Sequence, residues 1–475
     1  MGLFNILDGG VAISLFGQTY DVALDWIGTL IKNLIVGVGS VGVGIILFSL
    51  ILKIIVLPFD VYQRVAMRKQ NQKMAENKDR MEKLQKQYAN DKQMYNQKVM
   101  EMYKESGISM FSSCLPMILS MIIFFVAIGA FNTYSQYSNI ENYNIMVNAY
   151  NDKMNEYAVD YTLDEGVDYR LDARQEDGKT VNYIVVSQED KEIYFEVKYD
   201  GVMADEATYK TYVANHKGTK AYYIDKAKLD DNAKAYVDAK RAEHSQSGAT
   251  TAFDENSTVR KYFVEQAQNA VVTAYKGKVT KNTGFLWVKN IWATDAVYKH
   301  PVLAFKEFSS SMARESFKVD GKKVKIKDMA QYTDAYKEFT YEQITAKLVK
   351  EKSAPNGYFI LIALSIGSIL LQQVVTMRSQ KEQQKYSSVD GQSGSQQKTM
   401  LIMMTGMFAI FSFMYSSAFT IYMIMSNMLS LGSTLIINKA VDVSARKKEE
   451  KALQEKFNRR FPREQANGKD KKKKK

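Results

Sequence analysis

The sequence predicts a membrane all-α protein. The expected architecture is a five-span helical bundle with a cytoplasmic helical hairpin, plus an α+β extracytoplasmic insertion domain between spans two and three. Three observations lead there. First, the mean hydropathy of the 475-residue chain is −0.29, yet residues 34–52, 114–131, 358–377 and 418–437 contain no Asp, Glu, Lys or Arg. Runs of about 18–20 such residues cross a bilayer as helix. Second, the net charge of +12 is unevenly spread: 11 basic residues against 7 acidic in 59–110, 4 against 2 in 378–398, 15 against 6 in 439–475, but 32 against 34 in 136–353. Basic residues near span ends stay in the cytoplasm, so those three segments are expected inside, 136–353 outside, the N-terminus outside and the C-terminus cytoplasmic. Third, composition turns polar after residue 131, and 20 of the 30 Tyr fall in 136–353.

Residues 1–33 are read as an N-terminal extracytoplasmic segment with an interfacial helix, because Val22, Trp26, Ile27, Leu30 and Ile31 recur at helical spacing opposite Asp21, Asp25, Thr29 and Lys32. No cleavable signal pattern is evident, so the first span, 34–57, is expected to act as its own signal. Residues 58–110 form the hairpin, rich in Lys, Gln, Glu and Met and interrupted at Asn90-Asp91. The second span is 111–135. In the outer region, 136–353, residues 181–186 and 192–199 read as a β-hairpin, 226–243 and 259–276 as amphipathic helices. The third span is 354–377, a Ser-, Gly- and Gln-rich cytoplasmic linker is 378–398, the fourth and fifth spans share 399–438, and 439–475 is a basic cytoplasmic tail. Spans four and five are joined by Tyr415-Ser416-Ser417 alone, which makes them antiparallel neighbours.

Three His and one Cys exclude a His/Cys zinc cage and a disulfide within the chain. With no hydrolase, metalloprotease or P-loop motif around the His residues, neither bond-making catalysis nor a cofactor is expected. Lys53 is the one ionisable residue within a span, where a charge costs about 2.5–3.5 kcal/mol at the helix centre. It has two readings: it snorkels to the cytoplasmic headgroups near Pro58, or it points into the bundle, where Gln372, Gln373, Ser120, Ser426 and Asn427 are the polar candidates for a wet cavity. Met crowds the last two spans, Met423 and Met425 among them, either as gap filler or as an adaptable surface for apolar helices. The tail, with Arg459, Arg460 and Lys471, Lys472, Lys473, Lys474 and Lys475, is a polycation able to attract anionic lipid or the phosphates of ribosomal RNA.

Taken in order, several short motifs resemble the YidC/Oxa/Alb membrane protein insertases. They are Lys53-Ile-Ile-Val-Leu-Pro58, Leu84-Gln-Lys-Gln-Tyr88-Ala-Asn90-Asp91, Met102-Tyr103-Lys104-Glu105-Ser-Gly107, Cys114-Leu115-Pro116 with Phe124-Phe125, Gly284-Phe285-Leu286-Trp287, Leu371-Gln372-Gln373, Gln396-Gln397-Lys398, and Ile421-Tyr422 with Asn427. The resemblance implies a hydrophilic groove open to the cytoplasm and to lipid, and a cation on the first span that receives polar or acidic parts of a nascent protein. The substrate's apolar helix then leaves along the third and fifth spans. Lys53, Ser120, Gln372, Gln373, Tyr422, Met423 and Asn427 are the expected groove residues. The chain departs from the family pattern in carrying Lys53 where Arg is usual, Ser416 and Ala418 where Pro and Gly are usual, and a long segment between spans two and three.

The function expected is therefore a membrane protein insertase and chaperone of the bacterial plasma membrane. Its expected partners are nascent membrane proteins, the ribosome through the tail, membrane lipids and, as a further candidate, the Sec translocon. A small-solute transporter is the first rival, but it predicts symmetric halves, and no internal repeat is present. A membrane-anchored extracytoplasmic binding module is the second.

Overall fold

The computed structural model describes residues 10–13, 23–107, 111–162, 168–176, 179–188, 191–196, 220–314, 316–319, 322–325, 338–379 and 392–460. They divide into two compact units, one built from residues up to Thr29, Thr133–Ala293 and Val297–Gly357, the other from Leu30–Asn132, Thr294–Ala296 and Tyr358 onward.

The second unit holds the apolar helices. Helix α1 (Trp26–Val38) turns at Gly39, whose φ of +70° suits glycine, into α2 (Val41–Glu76). At Gly44 an added Cβ would lie 2.8 Å from the Ile35 Cα, so the missing side chain is what lets the two backbones touch. Helices α3 (Lys78–Gln87) and α4 (Lys92–Glu105) form a hairpin. Asp91 caps α4 by accepting from the Gln93 and Met94 N–H groups, Arg80 pairs with Glu105 at 2.6 Å, and Met81 and Met102 are buried. Helix α5 (Phe111–Asn155) crosses the boundary between the units at Asn132.

The first unit is built on the second half of α5. Tyr137, Ile140, Tyr143, Val147, Tyr150 and Met154 are all buried, and their spacing of three and four residues places them on one helical face. The unit also contains α6 (Asp231–Gln246), α7 (Glu255–Ala274), the short α8 (Thr280–Thr283), α9 (Phe305–Arg314), α10 (Glu338–Ile344) and α11 (Val349–Ser353). Tyr143 meets Phe308 at 4.8 Å and Tyr341 at 5.4 Å, and the Tyr341 hydroxyl donates to the Leu303 carbonyl. Burial pushes that phenol well above the usual tyrosine range. Strands β1 (Gly10–Ile13), β2 (Ala158–Thr162) and β6 (Lys220–Asp225) make one antiparallel sheet with β6 central. Strands β3 (Asp168–Glu176), β4 (Lys179–Gln188) and β5 (Lys191–Glu196) make a second, and β7 (Ser316–Val319) pairs with β8 (Lys322–Lys325).

The chain returns to the second unit with α12 (Ile360–Ser379), α13 (Gln392–Met414) and α14 (Ser417–Arg460). Asp295, fully buried, receives the Tyr358 and Leu361 N–H groups at 2.8 and 2.6 Å and so caps α12. Helix α14 packs along α2 and α12.

This corrects the fold expected from sequence. Among the described residues three helices, not five, are long and apolar enough to cross a membrane: Val41–Gln63, Ile360–Arg378 and Ser417–Ala440. At the expected fourth span the described residues hold a shorter apolar helix, Thr405–Met414, against the roughly 20 residues that cross a bilayer of about 30 Å at 1.5 Å per residue. The expected second span lies on α5, which is not among the three and continues into the Asn-, Ser- and Tyr-rich stretch that packs the first unit. Nor do the described residues form a self-contained α+β domain between two spans. Helix dominates, the sheets are small, and one of them takes β1 from residues 10–13, far outside the expected 136–353.

Candidate functional site

Helix α2 runs unbroken through Pro58 to Glu76, although sequence reading ended the first span at residue 57. Proline removes the N–H that would bond the Ile54 carbonyl, but the helical path continues past it. Positions 53, 56, 60 and 63, spaced by three and four, therefore share a face. Lys53, Val56, Asp60 and Gln63 all line one cavity of about 390 Å³ within the second unit.

Four other helices complete its wall. Phe124 and Phe125 come from α5, Gln372, Gln373 and Thr376 from α12, Met407 and Phe408 from α13, and Tyr422, Met423, Ser426, Asn427, Ser430, Ser433 and Thr434 from α14. The lining is thus apolar on one side and rich in amides and hydroxyls on the other. Lys53 Nζ donates to Asp60 Oδ2 at 2.6 Å and to Ser430 Oγ at 2.9 Å, with the two charged side chains only 13% and 24% exposed. Asn427 Nδ2 donates to Ser368 Oγ at 3.0 Å, Ser368 Oγ donates to the Ser365 carbonyl, and Ser365 and Ser412 share a hydrogen bond of 3.1 Å. Buried hydroxyls need such partners because an unpaired one costs about 1–3 kcal/mol. Next to the cavity, Phe124 packs with Phe408, Phe411 and Phe419, and Phe131 with Phe48 and Tyr422.

Of the groove residues expected from sequence, six lie together on this wall: Lys53, Gln372, Gln373, Tyr422, Met423 and Asn427. Ser120 is on α5 in a stretch whose side chains are outside the described residues. Arg459 and Arg460 end α14, and Lys471, Lys472, Lys473, Lys474 and Lys475 lie outside the described residues. Sequence reading missed Asp60, Ser430, Ser433 and Thr434. Asp60 was two turns beyond Lys53, a relation visible only if the helix survives Pro58. The signal for the others was the polar spacing 426, 430, 433 along α14, of which only Ser426 had been singled out, together with its neighbour Asn427.

Such a lining offers a paired cation, neutral hydrogen-bonding groups and a hydrocarbon wall. It can take up a polar or acidic segment of a polymer beside an apolar helix, and its described lining includes no His or Cys.

The sequence profile of the 60Kd inner membrane protein family matches residues 33–159 and 270–446, well over half of the chain. A membrane protein built on apolar helices around this cavity, the chain belongs to that family, the same grouping its motifs resembled. Residues 160–269 and 447–475 lie outside the matched stretches. Among curated relatives, the membrane protein insertase YidC of Caldanaerobacter subterraneus subsp. tengcongensis is 35% identical over 113 residues, 24% of this chain and 53% of the relative. That of Fusobacterium nucleatum subsp. nucleatum is 37% identical over 92 residues, 19% of this chain and 43% of the relative. That of Clostridium tetani is 36% identical over 101 residues, 21% and 44%. The chain spans about half the length of these relatives. No solved structure matches it.

Proposed function

We propose that the chain is a membrane protein insertase and chaperone that moves nascent proteins from the cytoplasm into the bilayer of the bacterial plasma membrane through the cavity around Lys53. The observation that carries this reading is a lysine held inside a half-polar, half-apolar cleft between helices of membrane-spanning length. Dehydrating a polar segment in hydrocarbon costs several kcal/mol per unsatisfied group, and a hydrated cleft shortens the path over which that cost applies. Its work is physical, with no cofactor and no bond made or broken. The names carried by the curated relatives support the same reading.

The cleft faces the cytoplasm in this account. Basic residues Arg64, Arg68 and Lys69 follow directly after the first apolar helix and Lys439 and Arg446 after the last, and such residues stay inside. The basic tail, with Arg459, Arg460 and Lys471–Lys475, attracts the ribosome, and lipids and the Sec translocon are further partners. Variants of Lys53 test the cleft's role. Lys53→Arg keeps the charge and retains insertion of a single-span substrate with an acidic outer segment, whereas Lys53→Ala lowers it about tenfold, the factor that follows from losing about 1.4 kcal/mol of charge complementarity. Equal insertion by Lys53→Ala would mean that the lysine only supports the helix packing.

A further inference from the structure

Among the described residues, the ionisable side chains with a formal charge on the cavity wall are Lys53 and Asp60, and they pair with each other. Asp60 lies seven residues along α2, roughly 10 Å further by helical rise. Lys53 therefore extends toward the C-terminal end of the helix, against the usual N-terminal lean of helical side chains, to reach a carboxylate 2.6 Å from its Nζ. Ser430 supplies the second acceptor at 2.9 Å. The cation is thus engaged before any substrate arrives.

From this geometry we infer that Asp60 is a specificity-determining residue. It occupies Lys53 in the empty cavity, and a carboxylate on an incoming segment gains the lysine only by displacing Asp60. The inference rests on the insertase reading above. Exchange of one carboxylate for another at the same ammonium is close to balanced in charge, so the resident anion lowers the advantage of acidic segments over neutral ones. Removing it leaves Lys53 with Ser430 alone, and the advantage rises.

The test uses the full chain in liposomes and two single-span substrates that differ by one Asp→Asn change in the segment to be translocated, read as the ratio of acidic to neutral substrate inserted. Asp60→Asn raises that ratio about three- to tenfold, Asp60→Glu keeps the ratio of the unaltered chain, and in a Lys53→Ala background Asp60→Asn does not move it. A ratio unchanged or lowered by Asp60→Asn, while the unaltered chain inserts both substrates, overturns the role of Asp60 and leaves the insertase reading standing. Failure of the unaltered chain to insert either substrate above protein-free liposomes overturns the insertase reading and this inference with it.

Discussion

A lysine and an aspartate on one helical face, with hydroxyls opposite, set the character of the cleft. Lys53 was legible because it is the one charge inside an otherwise uncharged run, and a charge there demands a partner. Its partner was not legible, because Pro58 reads locally as a helix end while the surrounding helices hold α2 in one piece. The same scale contains a structural carboxylate of a different kind. Asp295 is fully buried and takes two backbone N–H groups at the start of α12. Asp295→Ala leaves both donors unpaired and costs about 2–4 kcal/mol. The expected outcome is a lower midpoint of thermal unfolding in detergent, with Asp295→Asn in between because it keeps one acceptor. An unchanged midpoint for Asp295→Ala would show that water serves those donors as well.

At the scale of elements, apolar runs located α2, α12 and α14, and residues 226–243 and 259–276 marked two helices seen at Asp231–Gln246 and Glu255–Ala274. What the runs could not give was where a helix stops. In α5 the buried Tyr and Ile from Tyr137 to Met154 follow helical spacing, but their Asn and Ser neighbours read as the start of a polar domain. Helix α13 likewise begins at Gln392, within a stretch whose Ser, Gly and Gln suggested a linker. Close contact between α1 and α2 depends on Gly44, where a Cβ would meet the Ile35 Cα at 2.8 Å. Backbone atoms cannot move aside as a side-chain tip can, so Gly44→Ala separates the two helices and costs about 1–3 kcal/mol. The check is again the unfolding midpoint in detergent, with Gly37→Ala as control, since nothing lies within 4 Å of a Cβ there. Equal midpoints for the two variants would contradict the contact.

At the scale of the whole molecule, sequence periodicity does not say which distant strands pair, and so the union of Gly10–Ile13 with strand β6 across more than 200 residues was hidden. Among the described residues three apolar helices are long enough to span where five were expected, since a charge-free run does not by itself fix how much of it forms one apolar helix of spanning length. Residues 160–269 fall between the two stretches that match the family, and the cleft is lined entirely from outside them. Replacing 160–269 with a short Gly/Ser linker is therefore expected to leave insertion in cells depleted of their own insertase at no less than about half, since those residues belong to the first unit and every lining residue of the cleft belongs to the second. Stable accumulation of that variant in the membrane without insertion would make the segment part of the mechanism. The central claim is that the chain alone lowers the barrier to insertion, and the most direct measurement is insertion of a small single-span protein into liposomes that contain only the purified chain. Insertion well above that of protein-free liposomes, reduced by Lys53→Ala, is expected. Insertion equal to that of protein-free liposomes would contradict the claim.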